Sequence, residues 1–136
     1  MYKRQAPGRV FCLSGPLGAG KSELARAMIA TFCGPQDDIP IPTFTLVQPY
    51  LSDAGFEVWH MDLYRLETAE EALALGIEDA FYACCCLIEW PDKLQDRLPA
   101  DQIRIELAMG FDTGARVVAL AATTKILDQF KQDYFS

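Results

Sequence analysis

The chain has 136 residues, of which 51% are hydrophobic, and a formal net charge of −7. Its length suits one domain with one core, so we expect residues 1–136 to form a single domain. The negative charge argues against a chain that by itself binds nucleic acid through phosphate contacts, and no apolar run approaches the roughly 20 residues that span a bilayer.

The first predicted elements are a strand and a helix separated by a glycine-rich stretch. Residues 9–13 form a short apolar run that is typical of a buried strand. The helix is predicted to begin near Lys21, with its apolar residues three and four positions apart on one face. Gly34 and Pro35 provide a stop signal for this helix.

The middle of the chain predicts two strands followed by two short helices. Residues 35–43 are rich in Pro and Asp and indicate a loop, and strands are predicted at 44–50 and 56–62 around a turn at 52–55. Thr68 and Glu71 have capping-box spacing for a helix that ends at Gly76. A further helical turn is predicted at 76–82.

The last predicted elements are strands at 84–89, 102–108 and 115–121 and a closing helix at 124–132. Strands that alternate with helices indicate an α/β layer architecture.

Residues 15–22 match the phosphate-binding pattern G-x-x-x-x-G-K-[ST] at every fixed position. Small residues let backbone N–H groups approach phosphate oxygens, and the helix that follows directs its positive N-terminus at them. In this pattern the lysine reaches the β and γ phosphates and the serine hydroxyl ligates Mg²⁺. The predicted cofactors are therefore ATP and Mg²⁺, in a P-loop NTPase-like fold with a central mixed β-sheet flanked by helices. The predicted binding residues are Gly15, Pro16, Leu17, Gly18, Ala19, Gly20, Lys21 and Ser22.

Two acidic residues compete for the metal-side and catalytic roles. Glu89 ends the apolar run 84–89, where a neighbouring strand would present a carboxylate to the metal, although an acid where a strand meets a loop is also common. Asp62 shares a strand face with His60 and could orient or deprotonate the attacking water. For His60, the only histidine, a structural role is favoured over a phosphate contact or support of a neighbouring ligand.

Other polar and sulfur-bearing residues give weaker signals. Thr43 ends a loop that is predicted to pass near the phosphates, where a hydroxyl could sense the γ phosphate. The adjacent Cys84, Cys85 and Cys86 alternate faces in a strand, so they are interpreted as small buried hydrophobic residues. No export-signal pattern is visible, so we expect a cytoplasmic protein with reduced thiols and no membrane association.

Four segments together resemble the bacterial TsaE (YjeE) family. They are GPLGAGKS, PTFTLVQPY, HMDLYRLE and LIEWPDKL, in the order and approximate spacing of that family. The resemblance implies an ATPase that joins the TsaB and TsaD proteins. The resemblance further implies that this assembly installs threonylcarbamoyl on the adenosine beside the tRNA anticodon, and the ATPase is expected to meet tRNA only indirectly.

By position, the resemblance also implies individual roles. Lys21 and the loop backbone bind phosphates, and Lys21 is also an expected catalytic residue. Ser22 and Glu89 bind Mg²⁺, and Thr43 belongs to a first switch-like loop. Asp62, in the second such loop, is the implied catalytic acid, and Trp90 is expected to pack near the site.

The sequence departs from the family pattern in two places. Ile41 stands where the family usually has Ser, and the N-terminal helix of the family is expected to be missing. We interpret residues 1–5 as non-native, because residues 2–5 match the translation of a transposon end used in library preparation.

Two other functions stay open at this point. One is a small-molecule kinase, although the chain shows no Arg-rich insertion after the predicted phosphate helix. The other is an interaction module that binds nucleotide with little turnover.

Overall fold

The structure, a computed structural model, describes residues 8–16, 20–34, 46–109 and 115–121, with side chains described up to residue 108. Its strands are β1 (Val10–Ser14), β2 (Val47–Leu51), β3 (Glu57–Asp62), β4 (Cys85–Glu89), β5 (Ile103–Met109) and β6 (Ala115–Ala121). Its α-helices are α1 (Lys21–Cys33), α2 (Ala69–Leu73) and α3 (Ile77–Ala83), and a 3₁₀ segment spans Pro91–Arg97.

The described strands form one six-stranded sheet in the order β2-β3-β4-β1-β5-β6. β3, β4, β1 and β5 are parallel, whereas β2 and β6 pair antiparallel at the two edges. This confirms the predicted α/β fold with a mixed sheet. The central β1 and β4 are buried on both faces, which explains why their sequences are apolar without alternation.

Each face of the sheet packs against a different set of residues. On one face, α1 covers the sheet with Ala25, Ile29 and Phe32 against Phe11 and Leu87. On the other face, Ile77 of α3 and Leu94 of the 3₁₀ segment belong to a cluster with Cys12, Met61 and Ile88. The two clusters hold the parallel strands between layers and fix where their C-terminal ends lie.

The three adjacent cysteines alternate between these clusters, as predicted. Cys85 belongs to the cluster on the α1 face, and Cys84 and Cys86 belong to the other. All are free buried thiols, as are Cys12 and Cys33. Burial raises the pKa of Cys12 to about 12 and raises the pKa of Cys85 and Cys86 as well, so these thiols pack as hydrophobic groups.

Several element boundaries differ from the prediction. The second strand begins at Val47, and the predicted positions 44 and 45 lie outside the described residues. Thr68 precedes α2 as expected, but its side chain makes no capping hydrogen bond, and α2 ends at Leu73. The 3₁₀ segment was not predicted. Residues 1–5 and the closing helix 124–132 lie outside the described part of the chain.

Within the described residues, none of the helices combines the length and apolar composition required to cross a lipid bilayer.

Candidate functional site

The two candidate carboxylates lie at the same edge of the sheet. Asp62 at the end of β3 is the register partner of Glu89 at the end of β4, and Glu89 is in turn the partner of Leu13 near the end of β1. Parallel strands of an α/β sheet bind ligands beyond their carboxyl ends. The residues alone left Glu89 and Asp62 as rivals, and the family resemblance implied separate roles for them. The structure places both at the edge of the sheet where β1 ends and the glycine-rich turn begins.

The turn between β1 and α1 depends on a close approach to β5. Gly15 has φ of 149°, and a Cβ at this position would lie 2.6 Å from the backbone oxygen of Leu107. Only glycine fits this position without movement of β1 or β5. The sequence explained small residues in this stretch only by an approach to phosphate oxygens. It gave no sign of this contact, because Leu107 is distant in the chain.

The N-terminus of α1 opens toward this edge. Gly20 occupies its N-cap position in a left-handed conformation with φ of 100° and makes no side-chain cap. A helix N-terminus without a side-chain cap is a favourable place for an anion. Leu17, Gly18 and Ala19 of the predicted phosphate loop and Thr43 lie outside the described residues.

Lys21 is held against the turn that precedes it. Its Nζ donates to the carbonyl oxygens of Gly15 and Pro16, and it lies 4.2 Å from the centroid of the Trp90 ring. Although Lys21 begins a helix, its side chain is only 5% exposed. Burial lowers its pKa, and the nearby carboxylates of Glu89 and Asp62 oppose that shift. The ammonium group therefore lies at the turn, among acceptors that a phosphate could replace.

Ser22 and Glu89 form the oxygen-rich part of the site. The Ser22 hydroxyl Oγ lies 3.1 Å from Oε1 and 3.2 Å from Oε2 of Glu89, across 67 positions of sequence. A hydroxyl beside a carboxylate is a donor set that Mg²⁺ accepts, and Mg²⁺ usually keeps several waters in addition. These two residues therefore suit the metal that the sequence predicts.

His60 contacts Glu89 and is removed from solvent. Its Nε2 lies 2.7 Å from Oε2 of Glu89, and the histidine is fully buried while Glu89 is 3% exposed. Among the roles considered for His60 from the sequence, this geometry disfavours direct contact with a phosphate and places the ring behind the candidate metal ligand.

Asp62 has a more open environment than Glu89. Its Oδ1 accepts a hydrogen bond of 3.1 Å from the backbone N–H of Tyr64. Burial is the main cause that raises the pKa of Asp62, and Glu89 adds to it, whereas the Tyr64 N–H and the Lys21 ammonium oppose the shift. A half-buried carboxylate with a raised pKa is chemically suited to accept a proton from water or to orient a water molecule.

An aromatic pair borders the site. Trp90 follows Glu89 directly and has a left-handed backbone, with φ of 60° and ψ of 53°. Its ring packs 5.0 Å from that of Tyr64, which is 49% exposed. Trp90 was placed near the site only by family resemblance, and the structure confirms that position. The unusual backbone conformation turns the chain sharply and presents the indole to Lys21.

Comparison with known proteins finds a family model and relatives that carry the same description. A model of the family described as "Threonylcarbamoyl adenosine biosynthesis protein TsaE" matches residues 1–117. A tRNA threonylcarbamoyladenosine biosynthesis protein TsaE from Rickettsia bellii is 39% identical over 103 residues, which are 76% of this chain and 71% of the relative. The protein of the same name from Haemophilus influenzae is 42% identical over 115 residues, 84% of this chain and 70% of the relative.

The fold is also similar to a solved structure. The crystal structure of YdiB from Bacillus subtilis superposes with a TM-score of 0.71 at 24% sequence identity, covering 93% of this chain and 79% of that one.

Proposed function

Because the chain belongs to the TsaE family of threonylcarbamoyl adenosine biosynthesis proteins, we propose that it hydrolyses ATP in a Mg²⁺-dependent reaction that drives a tRNA-modifying protein assembly. The observation that carries the proposal is the convergence of four polar side chains at the C-terminal edge of the sheet. They are Lys21, Ser22, Asp62 and Glu89, brought together by β1, α1, β3 and β4. This set supplies a cation, an oxygen donor pair and a second carboxylate beside a phosphate-binding sequence pattern.

The proposed division of work follows the contacts of each residue. Lys21 leaves the carbonyl oxygens of Gly15 and Pro16 and binds phosphate oxygens near the N-terminus of α1. Ser22 and Glu89 would hold Mg²⁺, which would neutralise phosphate charge. Asp62 orients the attacking water or accepts its proton, since its raised pKa suits a base.

The proposed partners are the TsaB and TsaD proteins, and the proposed location is the cytoplasm, where tRNA is modified. A net charge of −7 disfavours direct binding to tRNA, because most non-specific affinity comes from basic side chains that neutralise phosphates. The contribution of this chain would then pass through protein contacts that depend on the bound nucleotide.

The test is release of inorganic phosphate from ATP by the purified chain, alone and with TsaB and TsaD proteins, with and without Mg²⁺. We expect slow Mg²⁺-dependent release that the partners change. Phosphate transfer to a small-molecule acceptor without net release would indicate a kinase, and tight ATP binding with no turnover under any condition would indicate an interaction module.

The Lys21→Ala variant tests whether ATP binds at this site. Loss of charge-assisted hydrogen bonds worth about 1.5–3 kcal/mol should weaken ATP binding by roughly 10-fold to 100-fold. Lys93→Ala removes the same charge from an exposed position in the 3₁₀ segment and serves as the matched control. Undiminished ATP affinity in Lys21→Ala would contradict the assignment of the phosphate site.

A further inference from the structure

A buried histidine connects β3 to the candidate metal ligand. His60 aligns with Leu87 in the parallel pairing of β3 and β4, two residues before Glu89. Residues two apart on a strand share a face, so the ring and the carboxylate meet on the face that α1 covers. The 2.7 Å contact between His60 Nε2 and Glu89 Oε2 therefore lies directly behind the site.

The hydrogen bond between them has a defined direction. A carboxylate accepts hydrogen bonds and donates none, so Nε2 carries the proton and donates to Glu89. The other ring nitrogen, Nδ1, is buried and has no hydrogen-bond partner in the part of the chain that the structure describes. Within the described residues, the imidazole ring therefore has one hydrogen-bond partner, Glu89.

This arrangement is poorly explained by packing. A buried imidazole loses its hydration, and an unpaired Nδ1 recovers none of that free energy. A leucine or phenylalanine would fill a similar volume between β3 and α1 without this cost. The histidine is therefore better explained by what its Nε2–H does to Glu89.

We propose that His60 is a positioning residue that fixes the carboxylate of Glu89 toward Ser22 at the start of α1. The proposal rests on the proposed function, in which Glu89 and Ser22 bind Mg²⁺. His60 Nε2 lies 2.7 Å from Oε2 of Glu89, and the Ser22 hydroxyl lies 3.1 Å from Oε1 and 3.2 Å from Oε2. Without His60, a carboxylate that is 3% exposed loses one of these two donors and is free to rotate away from the metal position. Outer partners of metal ligands typically contribute 10-fold to 100-fold in metal affinity.

Two amide variants separate positioning from packing. Gln places its amide nitrogen at about the distance from the backbone that Nε2 has in histidine, whereas the shorter Asn reaches only the position of Nδ1. We expect His60→Gln to keep Mg²⁺ affinity within about 3-fold and His60→Asn to weaken it by about 10-fold or more. Both variants bury an amide, so their losses in free energy of unfolding should be similar.

Mg²⁺ affinity is read in two ways, from the concentration that gives half-maximal ATP hydrolysis and from binding of Mn²⁺ in the presence of ADP by electron paramagnetic resonance. The second readout needs no turnover. Equal Mn²⁺ affinity in the Gln and Asn variants would overturn the positioning role while leaving the proposed function intact. Absence of nucleotide-dependent Mn²⁺ binding in the unmodified chain would refute the proposed function itself. If His60→Asn does not fold, His60→Leu takes its place with the same expected loss.

The unmodified protein offers a test without substitution. Because the chain contains a single histidine, nuclear magnetic resonance with ¹⁵N-labelled histidine reports on His60 alone. We expect a proton on Nε2 that exchanges slowly with water, no proton on Nδ1, and a change in the Nε2 signal when Mg²⁺ and ADP are added. A proton on Nδ1 with a bare Nε2 would overturn the proposal.

Discussion

Glu89 and Asp62 end neighbouring strands but have different surroundings. Glu89 is buried and lies within hydrogen-bonding distance of Ser22 and His60, whereas Asp62 is half-buried and accepts a hydrogen bond from the backbone of Tyr64. A carboxylate fixed by two side chains suits a metal ligand. One that borders solvent with a raised pKa suits a base. The sequence identified both residues, and their contacts favour one assignment of the two roles.

Neutral amides at these positions should therefore have different effects. Glu89→Gln should raise the Mg²⁺ concentration needed for nucleotide binding by about 10-fold, because an amide is a poorer ligand for a hard cation. Asp62→Asn should leave Mg²⁺–ATP binding nearly unchanged and reduce hydrolysis by about 10²-fold to 10⁴-fold.

Calorimetric titration and phosphate release measure the two effects separately. Glu78→Gln, which removes an exposed carboxylate from α3, is the control for a change in net charge. The opposite pattern, with binding lost in Asp62→Asn and turnover lost in Glu89→Gln, would mean that the two roles are exchanged.

At the scale of elements, the turn between β1 and α1 lies in close contact with β5. Gly15 combines a positive φ with a backbone oxygen 2.6 Å from where a Cβ would be. Gly55, in the turn between β2 and β3, also has a positive φ, but nothing lies within 4 Å of its Cβ position. Both glycines therefore have a backbone conformation that is unfavourable for other residues. Only Gly15 also lacks space for a Cβ atom.

Substitution of each glycine by alanine should separate the free-energy cost of the positive φ from the cost of the close contact with Leu107. Gly55→Ala should lower the free energy of unfolding by about 1–2 kcal/mol, the cost of a left-handed residue. Gly15→Ala should cost about 1–3 kcal/mol more, because β1 or β5 must move. Urea denaturation measures both, and equal losses would show that contact with Leu107 contributes little.

At the scale of the whole molecule, charge and loop geometry bear on partners. The chain carries nineteen acidic and twelve basic residues. Counterion release from neutralised phosphates drives most non-specific tRNA binding, and this chain has little capacity for it. Residues at or after the ends of β1, β3 and β4 lie close together: Lys21, Asp62 and the Tyr64–Trp90 pair. A bound γ phosphate would therefore alter contacts among the segments that follow these three strands.

We expect the purified chain to bind tRNA weakly alone and to associate with a TsaB–TsaD assembly in a nucleotide-dependent manner. Fluorescence anisotropy with labelled tRNA and sedimentation of the protein mixture with ATP, ADP or no nucleotide measure these two properties. Lys21→Ala should lose the nucleotide dependence and the capacity for repeated tRNA modification, whereas Lys93→Ala should keep both. Tight tRNA binding by the chain alone, or association that ignores nucleotide, would contradict the partner-driven proposal.

Local patterns in the sequence determined the elements that short-range chemistry controls. The period of apolar residues and the stop at Gly34 predicted α1, and the apolar runs predicted β1 and β4. The local sequence was a poorer guide to the ends of short elements. The spacing of Thr68 and Glu71 predicted a capping box, yet the Thr68 side chain makes no such bond, and α2 is short. Local spacing does not determine a helix this short, because most helical stability comes from tertiary packing, here with Ala69 and Ala72 buried.

The relations among the site residues were decided only by tertiary structure. Ser22 and Glu89 are 67 positions apart in the sequence and His60 and Glu89 are 29 apart, so no local pattern joins them. Their contacts follow from the placement of β4 between β3 and β1 and from the register that aligns Asp62 and Leu13 with Glu89. Strand order and register depend on how both sheet faces are buried, which is a property of the whole core. The sequence could therefore name the chemical groups, and the packing of the sheet decided which of them meet.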